Sequence, residues 1–155
     1  MKQYGLQMTR NLNNFLEDME HKKHATDVGT YMHAIMQRIV IDGDVVKGNA
    51  DVVDMIRKRA DLLPFFVSAA QTEVAIAGYL HGFFVSRRID RLLINHNTKT
   101  IDFIDYKTDT DKNTFVEQYK HQLKEYAELL SSAYPGFKIN GYILWLHDWV
   151  IDKII

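Results

Sequence analysis

Apolar and polar positions follow two rhythms along this chain, one helical and one of strands. Leu12, Phe15, Leu16 and Met19 recur at helical spacing. Tyr31, Met32, Ile35, Met36 and Ile39 form a second apolar stripe, which predicts a helix over 27–40. The stretch 41–45, with Gly43 between two aspartates, reads as a loop. A third helix is expected over 51–63, ended near Pro64. The rhythm then changes, and 72–80, 83–95 and 100–108 read as three strands. Gly82 and the Asn-His-Asn-Thr-Lys run at 95–99 supply turns between them. Residues 109–113 offer N-cap side chains for a long helix over 114–132, stopped at Pro135-Gly136. Segments 138–146 and 149–155 read as a closing strand pair that turns at His147-Asp148. The order is ααα-βββ-α-ββ, an α/β (α+β) fold with a central mixed β-sheet flanked by helices.

Composition narrows the class. A chain of 155 residues suits one domain and can bury a real core. The apolar fraction of 46% and charged fraction of 25% are those of a globular protein, not a disordered one. There is no cysteine, so disulfides, thiolate zinc sites and cysteine-held iron–sulfur clusters are excluded. Any metal must be held by oxygen or imidazole. The 19 basic and 20 acidic side chains leave a net charge of −1, which gives no basic footprint. No apolar run approaches the ~20 residues that span a bilayer. Residues 1–10 lack the apolar core of a signal peptide. The expectation is a soluble, cytoplasmic protein without a membrane partner.

The richest chemistry lies in Ile101-Asp-Phe-Ile-Asp-Tyr-Lys-Thr108. On a strand, side chains alternate between faces, so Asp105 and Lys107 share one face with Phe103. Ile104 and Tyr106 then point the other way, toward the expected core. The preceding strand carries Asp90 within Arg88-Ile-Asp-Arg91, and a hairpin would bring it close to Asp105. Two adjacent carboxylates repel unless a proton or cation relieves them. His33 lies beside the apolar stripe of the second helix. Gln122 and Tyr126 are four apart on the long helix and stack on one face. Glu73 opens the first strand. Each residue alone has an ordinary reading. Asp105 and Lys107 suit a solvated ion pair, Asp90 a partner for Arg88 or Arg91, and His33 a packed histidine. Gln122 and Tyr126 suit simple amphipathicity, and Glu73 a surface acid.

Together and in this order they resemble a known family. The stretches are Gly29-Thr-x-x-His33, Ile89-Asp-Arg-Leu92, Ile104-Asp-Tyr-Lys-Thr108 and Gln122-Leu-x-x-Tyr126. They are similar to the C-terminal nuclease domain of RecB- and AddA-type helicase–nucleases, in the PD-(D/E)xK superfamily that includes lambda-type exonuclease. The resemblance runs from about residue 27 to the C-terminus. It implies a restriction-endonuclease-like fold and a single nuclease domain over 1–155, either free-standing or the excised C-terminal part of a larger helicase–nuclease. It implies a Mg²⁺- or Mn²⁺-dependent deoxyribonuclease acting in DNA recombination or repair, with exonuclease action expected. Asp90, Asp105, His33 and the Tyr106 carbonyl would hold the metal. Lys107 would orient the attacking water or stabilise the transition state. Glu73 would hold Lys107 or bind the metal through water, and Gln122 and Tyr126 would position the lysine or a DNA phosphate. DNA is the expected partner, with Arg87, Arg88 and Arg91 near the site. A helicase domain of the same parent chain and a partner subunit are further expected partners.

Relatives usually carry glycine three residues before the first metal-binding aspartate, where this chain has Arg87. The lack of cysteine matches the members without an iron–sulfur cluster. The Arg57-Lys-Arg59 run is a basic patch that equally suits a solvated helix end. Gly43-Asp-Val-Val-Lys-Gly48 has phosphate-loop spacing, but Asn49-Ala50 replaces the required Lys-Ser/Thr, so no ATP site is expected. The alternative function is a non-catalytic DNA-binding or scaffold module on a degenerate nuclease fold.

Overall fold

The computed structural model describes residues 27–155. The helical spacing at Leu12, Phe15, Leu16 and Met19 lies outside these residues. Helix α1 covers 27–36 and stops short of the expected 40. The chain then forms a hairpin, β1 (Val40–Asp42) antiparallel to β2 (Val45–Lys47), where a loop was expected. The reason is local. Ile39-Val-Ile41 is a β-branched run that disfavours helix. The Asp42-Gly43 pair is a hairpin-turn signal, and Gly43 adopts φ +59°.

Helix α2 (Ala50–Arg57) is capped by Asn49, whose side chain accepts from the Asp51 and Val52 amides. It ends six residues earlier than the expected 63. Its apolar face runs out at Ile56, and Arg57-Lys-Arg59 has nothing to bury. A short 3₁₀ turn at Leu63–Phe65 then carries Leu62 and Phe66 into the core.

Five strands make the main sheet: β3 (Gln71–Leu80), β4 (Phe83–Asn95), β5 (Thr100–Lys107), β6 (Lys138–Trp145) and β7 (Val150–Lys153), paired in that order. All pairs are antiparallel except β5 with β6, which is parallel. The parallel pair is joined by α3 (Lys112–Ala133). Asp111 caps α3 by accepting from the Thr114 amide. The closing hairpin turns through Trp149 at φ 57°, so β7 starts one residue later than expected. The result is a mixed sheet flanked by helices, as the sequence pattern implies. No helix among the described residues is long and apolar enough to cross a membrane.

Both faces of the central strands are covered. On one side, α1, α2 and the β1–β2 hairpin pack Met36, Ile39, Ile41, Val53 and Ile56 against Ile104, Tyr106 and Leu144. On the other, α3 packs Leu123, Tyr126 and Leu130 against Ile89, Leu92, Phe103 and Ile143. The Asp105 side of β5 is therefore also interior, which corrects the expectation that only the Ile104 side faces core. Phe103 packs over its register partner Gly141, where a Cβ would sit 2.5 Å from the ring.

Arg91 locks the first of these layers to the sheet. Its guanidinium is 1% exposed and donates to the carbonyls of Met36, Ile39 and Phe65 and to the Tyr106 hydroxyl. It also lies 4.3 Å from the centroid of the Phe66 ring. The carbonyls lie at the end of α1, just before β1 and in the 3₁₀ turn, and that of Met36 also accepts from the Ile39 amide. Arg91→Ala removes donors from several buried acceptors at once and is expected to cost about 3 kcal/mol or more. A lysine, with no planar fork, should not restore the loss. Chemical denaturation of Arg91→Ala and Arg91→Lys checks both outcomes.

Candidate active site

The site forms where the β4–β5 ladder ends. The register pairs Leu92 with Phe103 and ends with Arg91 and Ile104, so Asp90 and Asp105 are the next residues on the two strands. Pairing stops there. The Tyr106 amide, which continued pairing would offer to β4, donates instead to Asp90 Oδ2 at 2.7 Å. Side-chain alternation in β4 slips at the same place. Ile89 and Leu92, three positions apart, both face α3, and residues 89–92 are all buried. The β3–β4 register likewise sets Glu73 opposite Asp90, and Glu73 sits at φ 53° in the left-handed region. Three acids thus share one row across β3, β4 and β5. A non-glycine residue at positive φ is backbone strain of the kind that clusters at functional sites.

His33 reaches this row from α1. Its Nε2 lies 3.2 Å from Asp90 Oδ2, and its Nδ1 donates to the Gly29 carbonyl at 2.8 Å. The ring packs edge-on against Tyr106. The hydrogen bond to Asp90, outweighing the effect of burial, raises the His33 pKa to about 9. An open cleft of about 500 Å³ lies alongside, lined by Gly29, Thr30, His33, Ala34, Gln37 and Glu73.

Lys107 sits on the α3 side. Its Nζ is 2.7 Å from Asp105 Oδ2 and donates to Gln122 Oε1 at 3.0 Å. Gln122 Nε2 in turn donates to the Tyr126 hydroxyl at 2.7 Å. The Asp105–Lys107 contact is close but poorly directed. Asp105 Oδ2 is the one buried side-chain polar atom among the described residues without a hydrogen-bond partner. Burial, opposed by Lys107, raises the Asp105 pKa to about 6, and the nearby charge of Asp90 adds to the rise. Burial pushes the Tyr106 hydroxyl up to about 12. Burial also raises Tyr126, with Asp105 adding to it.

The residues singled out from sequence divide clearly. His33, Asp90 and Tyr106 form one contact set and Asp105, Lys107, Gln122 and Tyr126 another, joined through the Asp105-Tyr106 backbone. Glu73 borders the cluster on the cleft side, but its partner is Arg88 at 3.7 Å, and it does not hold Lys107. Arg88 is well exposed, whereas Arg87 pairs with Glu125 of α3 at 3.2 Å. Arg91 is corrected outright: a buried guanidinium spent on three carbonyls and a hydroxyl cannot contact DNA. Tyr119 of α3, which its place in the sequence does not single out, also borders the cluster. Its ring centroid lies 4.1 Å from Lys107 Nζ, and its hydroxyl donates to Asp109 Oδ2. Its signal was the shared helix face with Gln122, three residues on.

Chemically, the cluster is a set of hard oxygen donors with one imidazole. Such a set suits Mg²⁺ or Mn²⁺. The fit rests on two opposed buried carboxylates and on the undirected contact of Asp105 Oδ2, both of which a cation would relieve. Among the described residues no group of three or more His, Asp or Glu side chains already converges as a cage. His33 and Asp90 engage each other, while Asp105 engages Lys107. No protein-family model matches this chain, and no curated protein matches it.

Two outcomes follow for protein kept in EDTA. His33 has a raised folded-state pKa, so its stabilisation is complete below about pH 6.5 and is lost as pH rises through about 9. Wild-type melting temperature should fall across that window, and His33→Gln should flatten the fall. Asp105 is held up by desolvation, so its ionisation between about pH 4 and 6 costs folding free energy. Asp105→Asn should therefore stabilise the fold at pH 8 by about 1 kcal/mol, a few degrees in Tm. Thermal melts read by circular dichroism check both.

Proposed function

We propose that this chain is a metal-dependent DNA nuclease domain of the PD-(D/E)xK type, resembling the RecB- and AddA-type nucleases, with exonuclease action on DNA in recombination or repair. The observation that carries the reading is the juxtaposition of Asp90 and Asp105 at the end of a strand ladder, with Lys107 held beside Asp105. Asp90, Asp105 and His33, with the Tyr106 carbonyl, would hold the divalent ion. Bound there, Mg²⁺ or Mn²⁺ supplies charge neutralisation and lowers the pKa of a coordinated water.

The side chains of the chain do the rest. Lys107 Nζ contacts Asp105 and Gln122, which leaves one of its three N–H groups for an attacking water or a phosphoryl oxygen. Gln122 and Tyr126 fix that ammonium from α3, and the Tyr119 ring packs against it with its centroid 4.1 Å away. Such positioning matters because small displacements of a reacting group cost large factors in rate. Arg88, exposed and 3.7 Å from Glu73, would meet a phosphate. The near-neutral net charge is consistent with this, since attraction to DNA would be local. In a larger parent protein, a helicase domain and a partner subunit would deliver the strand.

Digestion of end-labelled DNA with Mg²⁺ or Mn²⁺ tests the reading. Cleavage should require the metal and vanish in EDTA. Lys107→Ala and Asp105→Asn should each lose at least about a hundredfold in rate while circular dichroism shows the fold retained. Equal cleavage by wild type and both variants would overturn the assignment. His33 must release its proton to bind a cation, so Mn²⁺ affinity should rise with pH up to about 9. Calorimetry in two buffers of different ionisation heat should register the released proton.

A further inference from the structure

The β3–β4 hairpin outruns the rest of the sheet. β4 pairs with β5 only from Arg91 onward, so residues 73–90 beyond that point form a two-stranded ribbon. One face of the ribbon is backed by α3. Gly78 lies against Leu129, Arg87 pairs with Glu125, and His81 lies 3.7 Å from Glu128. Among the described residues no element packs on the other face. Alternation places Ala75, Ala77, Tyr79, Phe84, Ser86 and Arg88 on it, and all six are exposed. Tyr79 and Phe84 are cross-strand partners whose rings meet edge-to-face at 5.6 Å. They are 75% and 64% exposed, an unusual outlay of aromatic surface.

We propose that this face is a platform for single-stranded DNA, which leads a strand end toward Asp90. The proposal rests on the nuclease reading and names the form of its substrate. Three features favour a nucleic-acid strand over a protein. First, the face carries no Leu, Ile or Val, so it lacks the aliphatic anchors of a protein interface. Second, between the ring pair and Arg88 lie only alanines and a serine, a shallow floor on which flat bases can lie. Third, the face is continuous with the candidate site. Glu73 follows Ala75 on the same face and lines the cleft beside His33. At about 3.3 Å per residue, the Phe84 ring stands roughly 20 Å from Asp90 along β4. Aromatic rings stack bases of any sequence, and a neighbouring arginine meets the backbone. The backing by α3 keeps the platform rigid, so little ordering opposes binding.

Fluorescence anisotropy of labelled oligothymidylates in EDTA tests this without cleavage. A twelve-nucleotide strand should bind wild type clearly more tightly than a four-nucleotide strand. Tyr79→Ala and Phe84→Ala should each weaken the longer strand about tenfold and leave the shorter one unchanged. Both positions are exposed, and a thermal melt verifies the fold. Phe84→Leu separates the explanations. It keeps apolar area but not the ring, so it should bind the strand as poorly as Phe84→Ala. Equal binding by wild type, Tyr79→Ala and Phe84→Ala would overturn the platform. So would a wild-type dimer in light scattering that Phe84→Ala dissociates, because the face would then meet a second copy. If the variants lose binding but wild type never cleaves, the platform stands and the nuclease reading fails. If wild type cleaves and the variants bind normally, the reverse holds.

Discussion

One hydrogen bond organises the molecule: the Tyr106 amide donates to the carboxylate of Asp90 instead of to a neighbouring strand. A ladder that continued would press Asp90 against Asp105 with only backbone between them. By accepting the amide itself, Asp90 satisfies a buried donor and ends the pairing in one contact. Beyond this fork β5 runs on beside β6, while β3 and β4 leave as a ribbon over α3. The slip in β4 also turns Arg91 inward, where it gathers the carbonyls of α1, β1 and the 3₁₀ turn. The position of His33 follows from that clamp, because α1 is held at its Met36 end.

The cluster is electrostatically expensive, and the two sides of the sheet handle this differently. On the α1 side, Asp90 has an amide and an imidazole as partners. On the α3 side, Asp105 has one cation at poor angle and a buried oxygen without a directed donor. Burial of a charge is tolerated only with full compensation. The imbalance locates the strain at Asp105, in line with the raised pKa there and with the strained backbone of Glu73 one row across. A protein that carried these groups for stability alone would do better with apolar side chains.

Much of this was legible before any coordinates. Strand periods and turn residues located β3 to β7 and α3 within a residue or two, because most are long and bounded by Gly, Pro or Asx signals. The acid–lysine pair, the opposing acid and the Gln–Tyr pair were legible because strand and helix periods decide which side chains share a face. Three things were not. The β1–β2 hairpin is short, and its Ile-Val-Ile run continues a helical stripe, so two periods competed for the same residues. Arg91 reads as a DNA contact or a partner of Asp90 because it stands next to that acid in sequence, and nothing local announces a β-strand slip. Tyr119 fitted a core stripe equally well, and only the third dimension brings Lys107 over its ring.

The dual duty of Asp90 bears on how such a domain would age. Under relaxed selection, a side chain that serves only chemistry is free to drift, whereas one that also terminates a strand ladder is retained by folding. Lys107 and Asp105 would be the first to go in a lineage that abandoned the reaction, and Asp90 the last. A descendant that kept Asp90 and Arg91 but lost Asp105 would still look like this protein in outline. Asp90 thus marks the architecture, and the Asp105–Lys107 pair marks the proposed reaction.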